Sequence, residues 1–152
     1  MQDKKELKVS AIRNGTVIDH IPSQNLFSVI NILGLNKIGT QVTFGFNLES
    51  KKLGKKAIIK VADKFFEDDE INKISLVAPD AKLNIIRDYQ VVKKRVVSVP
   101  DEITAIAKCM NPKCISNHED ITTRFDVIQK KPIQLKCLYC EKITDQHHLE
   151  II

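Results

Sequence analysis

The chain has 152 residues, 43% hydrophobic and 28% charged, with 24 Lys and Arg against 19 Asp and Glu. That mix is too apolar for a disordered polymer and suits one domain or two small ones. Its apolar runs, such as the one around Ala57 to Ile59, fall far short of the roughly 20 residues that span a bilayer, and the opening MQDKKELKVS lacks the apolar segment of a secretory signal, so a cytoplasmic protein with no membrane partner is expected.

After a polar start, Val9, Ala11 and Ile12 lead into Gly15-Thr16-Val17-Ile18-Asp19-His20-Ile21-Pro22, whose β-branched residues predict a strand over Thr16 to Ile21, stopped at Pro22. Ser23 reads as an N-cap, and Leu26, Val29, Ile30 and Leu33 stand at helical spacing before Gly34. From Gln41 to Leu48 the pattern alternates and predicts a half-buried strand with Val42, Phe44, Phe46 and Leu48 on one face. The polar turn Glu49 to Gly54 leads to a hairpin partner in which Ala57, Ile59 and Val61 share one parity and Lys56, Ile58 and Lys60 the other. The acidic run Glu67 to Glu70 opens a second helix, with Ile71, Ile74 and Ser75 in register, that ends before Pro79. Leu83 to Ile86 and Tyr89 to Val99 read as two more strands, the latter interrupted by Lys93-Lys94-Arg95 and closed by Pro100.

Strand, helix, strand, strand, helix, strand, with one strand added, is the split βαβ order of a ferredoxin-like sandwich: an α+β fold whose antiparallel sheet carries helices on one face and leaves the other open. Lys56, Ile58 and Lys60 belong to that open face. Within Lys51 to Lys60 there are five lysines and no acid. On a strand Lys56 and Lys60 lie about 13 Å apart, a spacing that suits a polyphosphate, with Lys94 as a third contact. The blander alternative is a solvated edge guarded by lysine against aggregation.

The remaining segment is organised by cysteine. Cys109-x4-Cys114 and Cys137-x2-Cys140 are separated by 22 residues, and each pair fits a knuckle that turns two thiolates toward one metal. Asn111 and Pro112 are turn formers in the first, and a strand-like Ile133 to Lys136 runs into the second. Four sulfurs complete a tetrahedron at about 2.3 Å around zinc and leave no open position, so the site reads as structural, in a small all-β zinc ribbon of rubredoxin-like form. Iron in the same ligand set is the minor alternative, and free or redox-active thiols the blander one. With the sulfur set complete, His118, His147 and His148 read as surface residues. The domains are thus expected at 1–100 and 101–152.

No phosphate-binding glycine loop, nucleophile elbow or metalloprotease motif occurs, and Asp19-His20 has no nucleophile placed with it, so no catalytic residue is assigned. The basic excess is confined to one part of the chain. Residues 1–100 carry 17 Lys and Arg against 11 Asp and Glu, net +6, whereas residues 101–152 carry 7 against 8, net −1. A nucleic-acid-binding zinc ribbon, which the cysteines alone would allow, wants a basic, aromatic metal module. Here the module is acidic before the zinc tetrathiolate adds a further −2, and no nucleic-acid partner is expected.

In both parts the chain resembles the regulatory chain of aspartate carbamoyltransferase. The resemblance is carried by Gly15 to Pro22, by Gly54-Lys55-Lys56 with Ile59-Lys60, and by Asn84 with Tyr89-Gln90-Val91-Val92. It continues in Cys109, Cys114-Ile115-Ser116 and Leu135 to Glu141. It implies a noncatalytic subunit with a nucleotide-binding allosteric domain and a zinc domain that docks on the catalytic chain. Regulatory-chain homodimers would tie catalytic trimers into a dodecamer of six catalytic and six regulatory chains. The implied effectors are ATP and CTP, with UTP beside CTP in some members, giving feedback control of pyrimidine biosynthesis. By position, Ala11, Ile12, Val17, Asp19, Lys60, Asn84, Ile86, Tyr89 and Val91 would line the base and ribose, His20, Lys56 and Lys94 the phosphates, and Asn111 and Glu141 would contact the catalytic chain. Two departures stand out: Ser10 replaces an acid, and Lys113 occupies a position where Asn can occur.

Overall fold

The computed structural model describes residues 11–152; Val9 and Ser10 lie outside the described residues. The chain divides into two compact units, the first ending at Ser98 and the second running Val99–Ile152.

The first unit is built on strands β1 (Gly15–Pro22), β2 (Val42–Ser50), β3 (Gly54–Ala62), β4 (Lys82–Arg87) and β5 (Gln90–Val96), with helices α1 (Leu26–Ile32) and α2 (Asp68–Asn72). The sheet order is β2-β3-β1-β4-β5, and every neighbouring pair is antiparallel. This is the α+β sandwich the element order predicts. Parity along the strands decides which residues form the core. Ile18, Ile59, Val61 and Leu83 are completely buried, together with Leu26 and Val29 of α1 and Ile71 and Ile74 in and after α2. Gly15 opens β1 at φ +141, and a Cβ there would lie 2.1 Å from the Val61 carbonyl oxygen. Only glycine lets β1 and β3 close at that point.

Several local expectations are corrected. Ser23 does not cap α1. It sits in a one-turn 3-10 helix, Ser23–Asn25, and its Oγ accepts from Asn47 N at 2.6 Å. That bond secures a bulge in β2 between Gly45 and Leu48, where Asn47 takes φ 60. Phe44 and Phe46, expected to share a half-buried face, are 43% and 48% exposed, and Phe27 of α1 stands edge-on to them with centroids 6.0 and 6.4 Å away. β2 is an edge strand, and the bulge breaks its alternation. The second helix is a single α-turn, closed by a capping box in which Glu70 Oε1 accepts from Glu67 N, and Ile74 and Ser75 follow in turns. Tyr89 is not in a strand. With Asp88 (φ 48 and 68) it forms the two-residue hairpin turn between β4 and β5, its N–H donating to Arg13 O. β5 runs unbroken through Lys93-Lys94-Arg95 and ends at Val96, not Val99.

The second unit is all β apart from single 3-10 turns. Strands β6 (Glu102–Thr104), β8 (Arg124–Lys130), β9 (Ile133–Cys137) and β10 (Ile143–Asp145) form a sheet of order β10-β9-β8-β6, and β7 (Ala107–Lys108) pairs with β11 (Glu150–Ile151). Ile103, Ala107, Phe125, Leu135 and Thr144 fill its small core. No helix among the described residues is long and apolar enough to cross a membrane.

Candidate functional site

The antiparallel register lays out the open face of the first unit row by row. Thr43 pairs with Lys60, Lys60 with Val17, Val17 with Asn84, and Asn84 with Lys94, so one row crosses all five strands. One step along, Asp19 pairs with Lys82 and Lys82 with Val96; one step the other way, Gly15 pairs with Ile86 and Ile86 with Val91. Cross-strand partners share a sheet face. Val17, Asp19, Lys60, Asn84, Ile86, Val91 and Lys94 therefore share one sheet face, on which Val17 and Ile86 are buried and Val91 and Lys94 exposed. Tyr89 lies at the end of the face, where its N–H meets Arg13 O just after Ala11 and Ile12, and Ile12 Cδ1 stands 3.1 Å from where a Cβ on Gly15 would be.

A concavity of about 490 Å³ opens on this face, lined by Asp19, His20, Lys82, Asn84, Lys94, Arg95 and Val96. Four of the expected residues meet there: Asp19, His20, Asn84 and Lys94. Lys56 reaches the group through Asp19, Nζ to Oδ1 at 3.0 Å. A register break between Ile18 and Ile21 turns His20 into the left-handed region at φ 61. Its N–H donates to Asp19 Oδ1 at 2.6 Å, and its buried Nδ1 has no hydrogen-bond partner among the described residues. Burial holds the Lys60 ammonium below the usual lysine range. Lys82, Arg95 and Val96 are lining residues that sequence reasoning passed over. The period-two rule places Lys82 on the face of Asn84, so pattern alone could have found it. Arg95 could not be read this way, because its guanidinium is spent on Phe66 O and the Asp68 carboxylate.

The second unit gathers its four cysteines into one cluster, with all four Sγ atoms within 4.8 Å of one another. Cys109 Sγ lies 3.6 Å from Cys140 Sγ, and Cys114 Sγ 3.7 Å from Cys137 Sγ. Four sulfurs bound at about 2.3 Å around one tetrahedral ion stand about 3.8 Å apart, so the cluster fits a metal ion. None of the four pairs as a disulfide. Burial, reinforced by the neighbouring sulfurs, pushes the Cys109 thiol up to about 12 and raises Cys137. Burial also opposes ionisation of Cys140, but hydrogen bonds from the Lys142 backbone and the Asn111 side chain outweigh it and bring that thiol down to about 7. Asn111 is half-buried and held inward by the first knuckle, whereas Glu141, at φ 64, is exposed beside the second.

A sandwich with a polar, cationic open face, followed by a four-thiol ribbon, defines a two-module protein with one site fit for a structural metal. Comparison with known sequences narrows this. Residues 7–98 match the family described as aspartate carbamoyltransferase regulatory chain, allosteric domain, and residues 101–150 match its metal binding domain. Proteins named aspartate carbamoyltransferase regulatory chain are similar over nearly the whole length. That of Bacteroides fragilis is 59% identical over 151 residues, covering 99% of each chain. That of Pyrococcus horikoshii is 53% identical over 146 residues, covering 95% of this chain and 96% of its own. The chain belongs to the aspartate carbamoyltransferase regulatory chain family. It is a noncatalytic subunit with an allosteric and a metal-binding domain.

Proposed function

We propose that residues 1–100 bind ATP and CTP, with UTP as a further effector, and that residues 101–152 hold one zinc ion and dock on the catalytic chain of aspartate carbamoyltransferase. The observation that carries the first part is the concavity on the open face. Lys82 and Lys94 line it beside Asp19 and Asn84, so cations for a polyphosphate adjoin groups able to bond ribose hydroxyls. Backbone groups near Ile12 and Tyr89 would read the base edge, with Val17, Ile86 and Val91 against its plane. His20, Lys56 and Lys94 would meet the phosphates. Nothing in this arrangement supplies a nucleophile, so the nucleotide would leave intact.

Zinc fits the all-sulfur set, and its contribution would be to tie both knuckles into one fold. The apolar side chains exposed near the knuckles, Met110, Ile115, Leu138 and Tyr139, support a docking surface there, with Asn111 and Glu141 as its polar contacts. The exposed Phe27, Phe44 and Phe46 cluster borders the free edge of β2. An apolar patch beside a strand edge that is unpaired among the described residues supports pairing of two copies of the chain. Such dimers would tie catalytic trimers into a cytoplasmic dodecamer, six chains of each kind, and pass the nucleotide balance to pyrimidine synthesis. An effector acts only by preferring one quaternary state, and substrate must alter effector affinity by the same factor. Calorimetric titration with ATP and CTP, repeated on Lys60→Ala and Lys94→Ala, tests the site; unchanged affinity in both variants would sink it.

A further inference from the structure

The two metal knuckles are closed by different means. The second, with two residues between its cysteines, is fixed by its own backbone. Cys137 N donates to Lys142 O and Glu141 N to Cys137 O, both at 3.0 Å, and Tyr139 N points at Cys137 Sγ at 3.4 Å. Glu141 takes the left-handed conformation that such a turn requires. The first knuckle has four intervening residues, and its internal backbone bond is Cys114 N to Asn111 O at 3.0 Å. A longer loop held by less backbone has more conformational freedom to lose when it meets a metal.

Asn117 fills that deficit. It ends the 3-10 turn Ile115–Asn117 that follows Cys114 directly, and its N–H donates to Cys114 O at 2.9 Å. Its side-chain Nδ2 donates to Cys109 O at 3.0 Å and to Asn111 O at 2.8 Å. One carboxamide therefore ties the entry cysteine to the middle of the loop, while the same residue's backbone holds the exit cysteine. Its neighbour Ser116 places Oγ 3.1 Å from Cys114 Sγ, where the hydroxyl can donate to a thiolate. Both side chains come from a single turn, and neither is a ligand.

We propose that Asn117 is the positioning residue that presets the first metal knuckle and sets how fast the chain loses its metal. The proposal rests on the metal reading of the four cysteines. Groups that orient metal ligands change affinity by about 10- to 100-fold when removed. An aspartate at this position has the same shape but no N–H, and it would face two carbonyl oxygens.

The experiment uses the full chain loaded with zinc and, separately, with cobalt. Zinc content is measured first, and then zinc transfer to a chromogenic chelator is timed for wild type, Asn117→Ala, Asn117→Asp and His118→Ala. The expected result is transfer at least about tenfold faster in both Asn117 variants, an unchanged rate in His118→Ala, and a wild-type tetrahedral cobalt spectrum in all variants at saturation. Wild-type transfer rates in both Asn117 variants would overturn the proposal while leaving the metal site standing. So would variants that recover no tetrahedral spectrum at any cobalt concentration, because the residue would then be needed for the fold itself. A wild-type chain that retains neither metal would overturn both readings together.

Discussion

Stripping the metal from this chain should unfold Val99–Ile152 and leave β1 to β5 standing. The unit has 54 residues, and at about 0.05–0.15 kcal/mol per residue a domain of that size is stable by roughly 3–8 kcal/mol. A structural zinc site contributes on the order of 10–16 kcal/mol. Removing it turns the balance negative by about 2 kcal/mol at the favourable end and by about 13 kcal/mol at the other. The freed cluster offers no substitute, because the Cys109 thiol, pushed to about 12, takes back its proton and the knuckles lose their common tie. The chain carries its own reporters, having two tyrosines and no tryptophan. Tyr139 donates its hydroxyl to Thr122 O at 2.7 Å in the metal unit, while Tyr89 is 66% exposed in the other. In Tyr89→Phe the near-ultraviolet tyrosine signal therefore comes from the metal unit alone. Chelation should abolish that signal and the amide protection of β8 and β9, while protection in β1 and β3 persists; returning zinc should restore both. A Tyr139 signal and β8 protection unchanged at zero measured metal would refute the reasoning.

Other perturbations should separate the remaining features. Gly15→Ala places a methyl 2.1 Å from Val61 O at a backbone angle closed to alanine; it should destabilise the first unit by on the order of 3 kcal/mol in urea titration. Phe44→Asp, at an exposed ring in the three-phenylalanine patch, should leave the monomer's thermal midpoint within a few degrees and shift sedimentation from dimer to monomer. A retained dimer would remove β2 from the interface. Hydrogen bonds with His148 hold the Asp145 carboxyl below its usual range. Its contribution is thus present above the unfolded value near ~3.9 and lost as pH falls through the lower folded value. Asp145→Asn should weaken the metal unit at neutral pH and flatten the acid limb of its stability curve. Ser75 is buried with no partner for its hydroxyl among the described residues, so Ser75→Ala should be neutral or stabilising by about 1 kcal/mol in the same urea assay.

What could be read from the sequence was whatever depends on spacing along one strand or one knuckle. The parity of Ala57, Ile59 and Val61 against Lys56, Ile58 and Lys60 gave the core and the open face of β3, and the cysteine intervals gave the metal cluster. The features missed arise where two distant segments meet. Asn47 leaves the β2 pattern because Ser23 bonds its N–H, a pairing no local window contains. Tyr89 leaves the strand because Asp88 and Tyr89 form the turn that sets the β4–β5 register. Phe44 and Phe46 alternate as buried residues would, yet lie on a strand whose outer edge has no partner among the described residues. Lys82 shows the opposite failure: its parity with Asn84 is plain in the pattern of β4, but it is a single lysine far from the run at 51–60 that marks the cationic stretch.

The open sheet has a genetic consequence. β1, β3 and β4 each carry two interleaved messages, one residue for the interior and the next for the open face: Ile18 beside Asp19, Ile59 beside Lys60, Leu83 beside Asn84. Point substitutions at the outward positions can change the open face while the interior message stays intact, so descendants can diverge there on a constant scaffold. A single-codon deletion within any of these strands would exchange the two messages downstream of it, and the chain would lose its core and the pattern of its open face in one step.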